Sequence, residues 1–227
     1  MRIAEVADRG ALERVYDEVL LPSFPASELM PPSWLTDGVV AGEVEALAGF
    51  DDGGAPLAAA VTERLTGDAE LLTYLAALPA SRGSGVGSAL LRQVRDRATG
   101  RAALLLAEVE RPDRHDGSPE HGDPTARLRF YERAGARVLD LPYVQPPIER
   151  GGVVVRGMLL LALHVSEDAL REAGSAVDGS IVERAVAAML GDQADDDGDL
   201  AALRAASSRS VVGLRPLAEW RAVPASS

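Results

Sequence analysis

Leu78-Pro79-Ala80-Ser81-Arg82-Gly83-Ser84-Gly85-Val86-Gly87-Ser88-Ala89-Leu90-Leu91 is the stretch from which the fold can be read. A strand-like run ends at Leu78, three alternate glycines turn the backbone, and Val86, Ala89, Leu90 and Val94 then recur at helical spacing. Glycine adopts conformations closed to other residues and lets a ligand approach the backbone closely. The first turn of a helix leaves N–H groups unpaired, and its dipole favours an anion there. Arg82 adds a fixed positive charge. The unit predicts a phosphate, most simply a pyrophosphate, held by Arg82, Gly83, Ser84, Gly85, Val86, Gly87 and Ser88. The plainer alternative is a glycine-rich turn between strand and helix. A Walker loop needs a lysine, and all 23 basic residues are arginine. A dinucleotide fingerprint needs a third glycine where Ser88 stands, and a parallel βαβ unit opening the domain.

Outward from this loop, the first 165 residues alternate between strand and helix patterns. Strands are predicted at 3–7, 43–50, 57–65 and 70–78, the last three separated by turn residues as in an antiparallel meander. A helix at 12–20 closes at Pro22, and a proline-rich connector carries Phe24 and Trp34, both expected to be exposed. Beyond the loop follow a leucine-rich strand at 102–110, a polar insert at 111–122, a helix at 124–134 and strands at 136–140 and 153–163. Asp123 suits the N-cap of that helix, Pro124 its first position and Gly135 its stop. The fold class expected is α/β in the broad sense, an α+β mixed sheet, over residues 1–165. Residues 166–227 read as a helical extension, with helices at 167–173, 181–190 and 200–208 and an acidic linker at 192–199. The extension holds 11 acids against 6 bases.

The 227 residues carry a net charge of −12, which argues against a general nucleic-acid binder. With no cysteine, disulfides, thiolate nucleophiles and cysteine-ligated zinc are excluded. Three histidines without ligand spacing predict no metal. The apolar stretch at 153–163 is too short to span a bilayer and is interrupted by Arg156, and the N-terminus lacks an export signal, so no membrane partner and a cytoplasmic location are expected.

Arg82-x-x-Gly85-x-Gly87 resembles the R/Q-x-x-G-x-G/A signature of the GCN5-related N-acetyltransferases (GNAT). Phe130-Tyr131-Glu132-Arg133-Ala134-Gly135-Ala136 is similar to that family's L/F-Y-E-x-x-G-F/A segment, and Leu106-Ala107-Glu108-Val109 to its fifth-strand L-x-E-V. The order of elements agrees over residues 1–165. Pro124 stands where many members carry Asn, and the insert at 111–122 is longer than usual.

The resemblance implies acetyl-CoA or another acyl-CoA as co-substrate, with the pantetheine arm lying where the fourth and fifth strands splay. Backbone groups from Ala76 to Leu78 would then bind the arm and polarise the thioester carbonyl. Tyr131 aligns with the tyrosine that protonates the departing thiolate, or else is a helix-face aromatic packed on the sheet. An amine acceptor arrives protonated, so a base is needed. Glu108 and Glu110 alternate with Val109 and share a strand face, which makes both candidates, with Tyr74 and Glu63 weaker ones. His115 and His121 are acceptor contacts or merely solvated. Tyr143 and Gln145 sit in a proline-stiffened turn that lines the acceptor pocket or is structural. Phe24 and Trp34 would wall its other side.

These roles describe an acyltransferase acting on a small-molecule or peptide amine. Two alternatives stay open. An acyl carrier protein is one, as donor, meeting Arg92, Arg95, Arg97 and Arg101. A non-catalytic acyl-CoA sensor or interaction module is the other. The apolar faces of the extension need cover, either from the chain's own core or from a homodimer partner.

Overall fold

A computed structural model describes residues 1–118, 122–148, 151–193 and 197–226, and the chain divides into two units. Among the described residues no helix is long and apolar enough to cross a membrane.

The first unit comprises residues 1–64 and 71–97. Its elements are β1 (Arg2–Glu5), α1 (Arg9–Val15), which runs on through a wider turn at Tyr16–Leu20, α2 (Pro32–Ala41), β2 (Val44–Phe50), β3 (Pro56–Arg64), β4 (Ala69–Ala77) and α3 (Val86–Ala98). The strands lie in the order β1-β2-β3-β4. Antiparallel register sets Ile3 against Gly49 and Leu47 against Ala60, so the expected meander forms. One sheet face, including Ala46, Ala48, Ala59 and Val61, packs on Leu12, Val15, Leu20 and Leu35. The other receives α3: a Cβ at Gly49 would meet Val86 Cγ2 at 2.6 Å. That contact is why β2 can be buried on both faces only with a residue as small as glycine there. The helix α2 falls inside the expected connector. Pro32 serves as its first residue and Gly42 as its left-handed stop, φ 73°.

The second unit holds residues 65–70 and everything from 98 onward. It contains β5 (Leu104–Glu110), α4 (Pro124–Arg133), β6 (Arg137–Leu139), β7 (Met158–Val165), β8 (Leu170–Arg171), β9 (Ala176–Asp178), α5 (Gly179–Leu190), α6 (Gly198–Ser207) and β10 (Val211–Pro216). Asp123 caps α4 by accepting the Thr125 N–H at 2.8 Å, Pro124 begins it, and Gly135 follows it at φ 77°, all as read from the sequence.

The C-terminal segment departs from expectation. The strands run β5-β7-β6-β10-β9-β8, so residues beyond 165 supply half of them. β10 pairs with β6, setting Leu214 against Leu139 and Arg215 against Val138. The sheet is therefore not complete at residue 165, and the proposed division into 1–165 and a helical extension at 166–227 does not match the observed units. The helix expected at 167–173 is replaced by short 3-10 turns around β8, with Glu172 and Ala173 at φ 52° and 55°. Pairing of Leu170 with Val177 and of Arg171 with Ala176 overrides the local helical pattern. The other two helices form, and α5 buries Val182, Ala185, Val186 and Leu190. Their apolar faces are covered within the chain by β9, β10 and each other. Of the acidic linker at 192–199, residues 194–196 lie outside the described residues.

The chain end is anchored through Arg111, which is 4% exposed. Its guanidinium donates to the Val223 carbonyl at 3.0 Å, pairs with Asp113 at 3.1 Å and lies 5.3 Å from the centre of the Trp220 ring. An unpartnered charge so buried would be strongly destabilising, so the tail and Arg111 require each other.

Candidate active site

In the first unit, the Pro79–Ser81 turn leads into the glycine loop. The Ser84 hydroxyl donates to the Ser81 carbonyl at 2.7 Å and accepts the Val86 N–H at 3.4 Å, so Ser84 clips the turn. Gly83 and Gly85 take φ of 81° and 87°, and a Cβ on either would meet nothing within 4 Å. The loop therefore presents backbone to open space in a conformation that L side chains rarely adopt. The Gly85 carbonyl accepts the Ala89 N–H at 3.0 Å, which makes Gly85 the N-cap of α3; the Val86 amide is held by Ser84, and those of Gly87 and Ser88 are the first-turn amides directed along the helix axis. Val86 contributes only backbone, its side chain being 1% exposed. Arg82 is exposed and donates through Nε to the Ala77 carbonyl at 3.3 Å.

The Leu78 N–H donates to the Leu57 carbonyl at 2.9 Å and so is not available to a ligand. Backbone groups along a strand alternate sides, so Ala76 faces β3 with Leu78. The strand amides aimed away from β3 are those of Leu75 and Ala77. This corrects the assignment of Ala76 and Leu78 as backbone donors.

Tyr74 is 4% exposed, and its hydroxyl donates to the Glu28 carbonyl at 3.0 Å while accepting the Met30 N–H at 2.8 Å. Phe24 and Trp34, half-buried rather than exposed, pack on its ring with centroids 4.9 and 6.0 Å away. The three aromatics form one cluster that fixes the 24–34 connector, and Tyr74 is a strut of that cluster rather than a base. On β3, burial and then the Glu43 charge push Glu63 above the ordinary carboxylate range.

In the second unit, Glu108 is half-buried on β5 opposite Leu160 of β7. The Tyr143 hydroxyl donates to its Oε1, and the Gln145 amide donates to its Oε2 at 3.4 Å. Tyr143 is 1% exposed, so it supports Glu108 from behind instead of lining a surface. Burial, and next the Glu108 charge, push the Tyr143 phenol well above its ordinary value. Glu110 has different neighbours: Arg127 of α4 donates to it at 2.6 Å, and His115 Nδ1 lies 3.8 Å away. His115 is fixed on its other side, Nε2 sitting 2.8 Å from the Arg156 carbonyl. His121 lies outside the described residues. Tyr131, 6% exposed, packs edge-on against Phe130 with centroids 5.1 Å apart, and burial pushes its phenol up to about 12.

The structure thus gathers Glu108, Tyr143 and Gln145 into one group and Glu110, Arg127 and His115 into another. Arg127 and Arg111 were not predicted. Arg127 meets Glu110, and Arg111 meets Val223 and Trp220, through fold-backs with no local signature in sequence. Among the described residues no three acidic or histidine side chains are grouped to hold a metal. Of the four arginines that would meet a carrier protein, Arg97 is engaged by Glu5 and Glu45 and Arg101 by Glu70.

No family model and no curated protein matches the chain. Among solved structures it is similar to a protein from Bacteroides thetaiotaomicron described as a GNAT-family acetyltransferase, at a TM-score of 0.56 and 23% identity, over 74% of this chain and 89% of that one. The chain has the GNAT fold. With that fold come the α+β class and the mixed sheet flanked by helices expected from the sequence. More distant GNAT-like structures include an IAA acetyltransferase from Bacillus cereus, at TM-score 0.48 and 19% identity over 71% of this chain and 97% of that one. Another is a GNAT-family acetyltransferase from Elizabethkingia anophelis with acetyl-CoA bound, at 0.48 and 16% over 72% and 98%.

Proposed function

We propose that the chain is a GNAT-type acyltransferase that moves an acyl group, most simply acetyl, from a coenzyme A thioester to an amine by direct attack. The observation that carries this reading is the loop at residues 82–88: left-handed Gly83 and Gly85, an open side, and the first amides of α3, on the GNAT fold. These residues fit a pyrophosphate, because the first-turn amides of α3 border open space beside Gly83 and Gly85 and Arg82 adds a positive charge to the same loop. Coenzyme A, as co-substrate, supplies the activated acyl group.

The Leu75 and Ala77 backbone is assigned to the pantetheine arm and the thioester carbonyl. Glu108 is assigned to accept the proton of the incoming amine, supported by the Tyr143 and Gln145 donors that hold its carboxylate, whereas Glu110 is paired with the Arg127 guanidinium. Tyr131 keeps its proton at neutral pH. A thiol ionises at about 8.5, far below the Tyr131 phenol, so Tyr131 stabilises the departing sulfur as a hydrogen-bond donor and water completes its protonation.

Thiol release from acetyl-CoA, measured against a panel of amines, tests the reading. Tyr131→Phe keeps the ring and removes the donor, and should lower kcat about tenfold to a hundredfold while the donor KM holds. Unchanged kcat would make Tyr131 a packing residue. Donor binding without thiol release for any amine would favour a non-catalytic acyl-CoA sensor.

A further inference from the structure

We propose that Tyr143 is a positioning residue: its buried hydroxyl, with the Gln145 amide, holds the Glu108 carboxylate in the orientation from which it takes a proton from the acceptor amine. The proposal deepens the acyl-transfer reading and rests on it. A phenol inside a protein needs a hydrogen-bond partner, and the partner of Tyr143 is a carboxylate on strand β5.

The scaffold behind both donors is rigid. The Leu141 N–H donates to the Leu139 carbonyl at 2.9 Å and the Tyr143 N–H to the Leu141 carbonyl at 2.8 Å, two successive tight turns that aim Tyr143 inward. Gln145 exchanges both backbone hydrogen bonds with Val155, at 2.9 and 3.0 Å. On β5, Ala107 and Val109 are 1% and 2% exposed, which locks the strand that carries Glu108.

The two donors bind different oxygens of Glu108, so the plane of the carboxylate is fixed. Both donors are neutral, so neither cancels the carboxylate charge. Among the described residues, the charged neighbours along this strand face include Glu110, its partner Arg127, and His115. In the step itself an N–H bond of the ammonium breaks, an O–H bond forms on Glu108, and the proton passes to solvent. Tyr143 keeps its own proton throughout, because burial and the Glu108 charge hold its phenol well above the ordinary value.

The test uses the full chain with 13C-labelled glutamate, the Glu108 signal being identified by its loss in Glu108→Gln. Tyr143→Phe removes one hydrogen bond to the charged form, so the Glu108 titration midpoint should rise by about one pH unit. The acidic limb of the kcat/KM profile should rise with it, while the donor KM stays constant. Gln145→Leu should shift both in the same direction by less, and carries the test alone if Tyr143→Phe does not fold. Turnover in the wild type with an unmoved midpoint and limb in the variants overturns the proposal and leaves acyl transfer standing. A midpoint that shifts in the variants while the wild type releases no thiol with any amine overturns the acyl-transfer reading, and the positioning role of Tyr143 in it.

Discussion

In the glycine loop, Ser84 reaches back three residues to Ser81 and Arg82 five residues to Ala77. At the C-terminus, Arg111 reaches Val223 across 112 residues, Arg215 reaches Asp140 across 75, and Gly157 reaches Ser226 across 69. The loop is shaped by its own residues and works through its backbone, whereas the tail has shape only once the rest of its unit has folded. The two regions should therefore fail differently. Damage to the loop should cost ligand affinity in a folded protein, and damage to the tail should cost the fold.

The sharpest break is a chain ending at His164. It leaves β6 without β10 and Arg111 without Val223 and Trp220, so we expect an insoluble protein or one without a cooperative melt by circular dichroism. A folded fragment that still binds acetyl-CoA would overturn the dependence on the tail. Trp220→Ala is milder. The ring is 5% exposed, and its removal should cost about 3–5 kcal/mol in a denaturant titration while the donor affinity of the folded fraction is unchanged.

At the loop the balance reverses. Gly85→Val forces a β-branched residue to φ 87° and fills the open side, at a cost on the order of 1–3 kcal/mol in stability. Donor affinity, read by calorimetry, should fall at least about tenfold, as loss of a charge-assisted contact would give. A variant that binds as well as the wild type would place the phosphate elsewhere.

The smallest effect is electrostatic. The Arg111 hydrogen bond holds Asp113 below the ordinary carboxylate range. A depressed folded-state value means that the pair stabilises the protein above the unfolded value, near 4, and that this contribution is lost as the pH falls through the folded value. Asp113 is 42% exposed, so the pair should contribute under about 1 kcal/mol. Asp113→Asn should therefore lower Tm slightly at pH 7 and flatten its decline between about pH 5 and pH 2.

What was legible in sequence follows the same divide. The glycine turn between β4 and α3, the cap and stop of α4, and the meander rest on local rules, and those elements form as expected. Glu108, Tyr143 and Gln145 were each legible as candidates, but their grouping was not, because it depends on how the turn after β6 folds back on β5. Short alternating Val211-Val212-Gly213-Leu214 carried a faint strand signal, with Val212 and Leu214 inward, yet its partner Leu139 lies 75 residues away. Backbone N–H direction at Leu78 was invisible for a similar reason: it depends on the pairing with Leu57.

Calorimetric titration of the full chain with acetyl-CoA, in parallel with Gly85→Val and Tyr131→Phe, tests the donor assignment most directly. Saturable binding with one site per chain is predicted for the wild type, retained in Tyr131→Phe and lost or greatly weakened in Gly85→Val. A folded wild type that takes up no acetyl-CoA, or a Gly85→Val protein that binds it undiminished, would contradict acyl-CoA recognition by the residue 82–88 loop.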